Sequence, residues 1–168
     1  MRTGFFDPLA ALLRRSARLC WIAALSLPLV VAAADTAPAA RPADDVLKTA
    51  RAQIQAKQWP DALAELRRVN ATASADWQSL MGYVVRKGST PDLDASERFY
   101  MAALKIDPRH RGALEYSGEL YLMKGDLPRA EQQMATLDKA CFFGCEELDD
   151  LKKAVARYKV AGKWVAEP

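Results

Sequence analysis

The chain has 168 residues, about one domain's worth, with 24 lysines and arginines, 21 aspartates and glutamates and one histidine. Its net charge of +3 belongs to the leading segment: residues 1–34 hold Arg2, Arg14, Arg15 and Arg18 against Asp7 alone, so the remainder carries equal numbers of each sign. A neutral body gives no electrostatic reason for a nucleic-acid partner.

Arg14, Arg15 and Arg18 precede an apolar run from Leu19 to Val31, and Ala32, Ala33 and Ala34 supply the small residues of a cleavage site before Asp35. This order predicts a secretory signal peptide over residues 1–34 and an exported, periplasmic protein. The run through Ala34 is 16 residues and contains Pro28, short of the roughly 18 to 20 that span a bilayer. Membrane contact is therefore expected only through an uncleaved signal segment. Cys20 follows Ala17-Arg18-Leu19, and the arginine spoils a lipidation signal. Residues 35–43, with two prolines and no helical period, read as a flexible linker.

The folded part is expected over 44–163. Asp44 or Asp45 is placed as the cap of a first helix with Val46, Leu47, Ala50 and Ile54 at helical spacing. Pro60 suits the first turn of a second helix, whose stripe is Ala62, Leu63, Leu66 and Val69. Asp76 is read as the cap of a third helix with Trp77, Leu80, Met81, Val84 and Val85 inward, ending at Gly88. A fourth runs from Leu93 to Asp107-Pro108 with Phe99, Ala102, Ala103 and Ile106 buried. Gly112 to Lys124, Pro128 to Ala140 and Glu146 to Tyr158 complete the series, with a turn at Gly125-Asp126.

Superposed on these helices is a period. Asp126, Pro128 and Ala130 follow Asp92, Asp94 and Ser96 by 34 residues, and those follow Gln58, Pro60 and Ala62 by the same interval. The third unit has Leu114, Gly118, Tyr121, Gly125-Asp126 and Ala130; the second has Trp77, Leu80, Ala103 and Ile106-Asp107-Pro108; the first keeps Ala50, Trp59 and Ala62. In these residues, across about 43–140, the chain resembles the tetratricopeptide repeat family. It departs from the pattern at Met81, where glycine is usual, and at the three extra residues Ser89-Thr90-Pro91. The reading is all-α: a short right-handed α-solenoid of about three tetratricopeptide-like helix pairs plus a C-terminal capping helix.

The resemblance implies a concave groove lined by the first helix of each pair, binding a peptide or a segment of another exported or membrane protein. Its lining would be Leu47, Arg51, Ile54 and Gln55, then Gln78, Gly82, Val85 and Arg86, then Glu115, Glu119, Leu122 and Met123. Trp59, Trp77 and Tyr121 read as packing residues.

Cys141-Phe142-Phe143-Gly144-Cys145 is the second informative segment. Two cysteines in an exported chain are expected to form a disulfide, with Phe142 and Phe143 packed against the third unit. Two other readings remain open: a redox pair with Cys145 activated at a helix start, and a copper-handling accessory holding a soft metal between the thiols. His110 reads as an exposed loop residue. No nucleophile elbow, phosphate loop or haem-attachment motif occurs, so the sequence predicts neither an enzyme nor a bound cofactor.

Overall fold

The computed structural model describes residues 46–166, and the expected signal peptide, linker and Asp44 or Asp45 cap lie outside them. Among the described residues there are seven helices and no strand: α1 (Lys48–Gln55), α2 (Trp59–Val69), α3 (Ala75–Lys87), α4 (Leu93–Ile106), α5 (Arg111–Met123), α6 (Leu127–Ala140) and α7 (Glu146–Ala161). Each helix packs on its chain neighbours, and α5 also packs on α3 and on α7.

The 34-residue interval is the spacing between helix starts. Gln58, Asp92 and Asp126 are the residues capping α2, α4 and α6. The Asp92 and Asp126 carboxylates accept from the backbone N–H of Ala95 at 2.8 Å and of Arg129 at 3.0 Å. Each such cap stabilises its helix by about 1 kcal/mol. Gln58 makes no side-chain cap, and Pro60 in the first turn removes an N–H that would need one. Four residues past each cap stand Ala62, Ser96 and Ala130, all fully buried. A small side chain recurs there because helices meet there, and Ser96 settles its hydroxyl by donating to its own cap carbonyl, Asp92 O, at 2.8 Å.

Helix starts correct one expectation. Ser74, not Asp76, caps α3, its hydroxyl accepting from Trp77 N at 3.3 Å. Asp76 sits inside the first turn, where its carboxylate is released for other work. The turn after α5 is as expected: Gly125 has φ +78°, a left-handed conformation that costs glycine least, and Asp126 N closes it onto Tyr121 O at 2.8 Å.

The core forms two clusters. One joins Leu47, Ala50, Ala62, Leu66, Trp77, Met81 and Val84; the other joins Leu114, Tyr121, Leu122, Leu137, Leu148, Leu151 and Val155 with Cys141. Trp77 fastens α3 to α2 twice over, by burial and by donating its indole N–H to Leu66 O at 2.7 Å. Trp59, by contrast, is half-buried, edge-on to Tyr83 at 6.1 Å.

On α4 the buried stripe is Ser96, Tyr100 and Ala103. Ile106 is 46% exposed, and Phe99 is half-buried against the edge of Trp77, so both correct the sequence reading. Phe142 and Phe143 are the larger correction: they are 85% and 97% exposed. The Cys141–Cys145 disulfide is present, with Cα atoms 5.7 Å apart, and a three-residue loop so closed holds the two rings away from the helices.

Candidate functional site

The first helices of the three pairs, and α7 after them, contribute to one polar cavity of about 400 Å³. Its lining is Arg51 from α1; Asp76, Ser79 and Leu80 from α3; Arg111, Gly112 and Tyr116 from α5 with the capping His110; and Glu147 from α7.

Asp76 organises its floor. One carboxylate oxygen accepts from Arg51 Nη2 at 2.9 Å, and the other is 2.7 Å from His110 Nε2. The remaining ring nitrogen, Nδ1, accepts from Ala113 N at 3.0 Å and thereby caps α5. A nitrogen that accepts a backbone N–H carries no proton of its own, so Nε2 is the protonated one and donates to Asp76. Both imidazole nitrogens are thus engaged. Asp76, His110 and buried Ser79 stand close together, yet the imidazole has no free nitrogen with which to take the Ser79 proton. His110 is accordingly a helix cap and a tie between α3 and α5, and only half-buried rather than a free loop residue.

Beside the cavity lies a buried charged layer where α3 meets α5. The Arg86 side chain is 1% exposed and donates from Nη2 to Glu119 Oε2 at 2.6 Å. Its guanidinium lies over the rings of Tyr83 and Tyr116, at 5.6 and 5.7 Å, and reaches Met123 Sδ at 3.7 Å. Desolvation pulls the Arg86 pKa down, but Tyr100 and Glu119 outweigh it and hold it above its ordinary value. Burial raises Tyr100 and Tyr116 above the usual phenol range.

The residues expected to line the groove therefore divide. Arg51 lines the cavity and is part-exposed, whereas Glu115, next to Tyr116 on α5, is half-buried outside its lining. Gln55 is exposed on α1, and the Gln78 amide donates to Thr72 O at 2.7 Å. Arg86, Glu119 and Met123 are joined to one another between α3 and α5. Leu47, Gly82 and Leu122 are buried in the packing. The sequence reading passed over Asp76, Ser79, His110, Arg111 and Tyr116. No local signal pairs Asp76 with His110: Asp76 lies in the first turn of α3 whereas His110 caps α5, so the two are not equivalent positions of their helices, and the contact between them appears only in the packing.

Glu115 gives the site a pH dependence. Burial, with Glu119, Asp150 and Glu147 nearby, pushes its carboxyl up to about 8. The unfolded carboxyl ionises near the ordinary 4.5, so between these values the native state binds more protons than the unfolded one. Stability then falls as pH rises through that window and is level above it. The Glu115→Gln variant is expected to equal the wild type at about pH 4, below the unfolded carboxyl's value, and to exceed it by about 1–2 kcal/mol at about pH 9, measured by urea unfolding at both pH values. Equal stabilities at pH 9 would show that the carboxylate is solvated.

At the far end, Cys141 and Cys145 are joined, and the Glu147 carboxylate lies with both sulfurs inside a 4.8 Å group. In this oxidised form neither sulfur is a thiolate, the species that ligates metal or attacks a substrate. Cys145 is also the residue from which α7 starts, so the bridge pins α6 to α7.

The chain matches no protein-family model and no curated protein. The tetratricopeptide likeness thus rests on the residues and spacing named above.

Proposed function

We propose that the protein is a non-enzymatic binding module, a short right-handed solenoid of three tetratricopeptide-like helix pairs closed by α7, which holds an extended segment of another exported protein in the bacterial cell envelope. The observation that carries this reading is the cavity to which α1, α3, α5 and α7 all contribute. A wall built from alternate helices is what stacking of like units produces, and a mixed lining of Arg51, Arg111, Glu147, Ser79 and Tyr116 suits a polar peptide backbone with charged side chains. The cysteine pair, on this reading, fixes the junction between the last pair and α7.

Arg51 and Arg111 are the groups to test, since their side chains are 40% and 55% exposed. Arg86 and Glu119 are unsuited because reversing a buried pair attacks the fold. Affinity capture from envelope extract is expected to yield a discrete partner with the wild type and at least about tenfold less with Arg51→Gln/Arg111→Gln, which removes two part-exposed ion pairs without opposing like charges and keeps the folded circular-dichroism spectrum. Undiminished capture by that variant would sink the proposal.

A further inference from the structure

Two exposed phenylalanines on a covalently closed loop are an unusual surface for a soluble chain. The rings of Phe142 and Phe143 lie edge to face, 5.0 Å between centroids, so they present one compact apolar knob. The disulfide holds that knob in place, which lowers the ordering cost of docking it.

A matching socket exists elsewhere on the same molecule. Between α2 and α3 lies a cleft of about 320 Å³ walled by Trp59, Leu63 and Val85, with Arg67 at its edge. An apolar cavity of about 150 Å³ holds one benzene ring, so this cleft has room for two. Arg67 can lie against an arriving ring face as a cation on an aromatic. Directly after the knob, Glu146 and Asp149 are exposed in the acidic first turn of α7, opposite in sign to Arg67. That same acidic turn is repelled by an anionic bilayer, which separates this occupant from a lipid surface. The knob stands outside the core, next to Cys141 of one cluster, whereas the cleft is walled by Leu63 and Val84 of the other, so the two surfaces are separate.

We propose that the Phe142–Phe143 knob of one molecule seats in the α2–α3 cleft of a second copy of this chain. Knob and socket are different surfaces, so the contact is head-to-tail: every dimer keeps one free knob and one free socket and extends into a chain of molecules.

Sedimentation equilibrium of the full-length chain, expressed with its leading segment so that any processing occurs, tests this with two variants at exposed positions. Phe142→Ser/Phe143→Ser removes the knob, and Ser89→Glu/Thr90→Glu places acid at the socket, whose rim those two exposed residues also line. The wild-type mass is expected to rise past the dimer with concentration, while each variant stays monomeric because association is weakened about a hundredfold. An equal mixture of the two variants is expected to form a dimer and nothing larger, since only one intact knob and one intact socket remain. A wild type monomeric at every concentration, association that survives loss of the knob, or a mixture that does not pair would each overturn the proposal. So would knob-dependent binding of a monomeric wild type to phosphatidylcholine vesicles, which would assign the phenylalanines to lipid.

Discussion

Replacing Arg86 by alanine is expected to destabilise the protein by about 3–5 kcal/mol, the largest effect of any single substitution considered. The change leaves the Glu119 carboxylate, 14% exposed, without the cation that offsets its desolvation. It also empties the space that the guanidinium fills over Tyr83 and Tyr116. The same physics says that removing both charges costs far less than removing one. Arg86→Met/Glu119→Leu is therefore expected to recover most of the loss. Urea unfolding measures both: the midpoint should fall sharply for Arg86→Ala at an unchanged slope, and return most of the way in the double variant. A loss below about 1 kcal/mol would mean that the pair is solvated.

The second large effect concerns two glycines that look alike in sequence. A Cβ on Gly82 would lie 2.6 and 2.8 Å from ring atoms of Tyr100, which is fully buried and has no second place to go. A Cβ on Gly118 would lie 2.7 Å from the two terminal methyls of Leu151, which can move by rotation of the side chain. Alanine gains about 1 kcal/mol of helix propensity at either position, and overpacking costs about 1–3 kcal/mol. Gly82→Ala is expected to be destabilised by about 2 kcal/mol, lowering Tm by about 8 °C. Gly118→Ala is expected to stay within about 3 °C of the wild type. Thermal unfolding followed by circular dichroism decides it, and the reverse order of the two variants would contradict the packing described.

These pairs explain which parts of the fold were legible. Helix number and helix starts are local: a capping Asp92 or Asp126, a proline in the first turn and a small residue four positions later all lie within one turn, so their recurrence could be read from sequence. Tyr100 was missed because its burial depends on Gly82, a residue on the preceding helix; the inward stripe of α4 turned by one residue from Phe99 to Tyr100 to fill the space that glycine leaves. Arg86 was read as part of an open groove for a related reason. An arginine on an amphipathic helix is ordinarily solvated, and only Glu119, Tyr83 and Tyr116 together make its burial tolerable. The sequence reading packs Phe142 and Phe143 against the third unit, whereas both rings stand exposed on the three-residue loop that the disulfide closes.

The candidate site was legible in outline and less so in detail. That the first helices would share a wall is what the tetratricopeptide resemblance implies, and α1, α3 and α5 do contribute to one cavity. Which side chains front it was not legible, since Asp76 is available only because Ser74 caps α3, and His110 reaches it only because its other nitrogen caps α5.

Site-specific photo-crosslinking in intact cells tests the proposed binding role of this wall most directly. A photoreactive side chain at Arg111 stands in the cavity lining, one at Gln55 is exposed on α1 one turn from Arg51, and one at Arg98, exposed on α4, serves as the control position. Discrete adducts of one mass from Gln55 and Arg111, with none from Arg98, are the expected result. Adducts from Arg98 alone, or no distinction among the three positions, would contradict a partner held by α1, α3, α5 and α7.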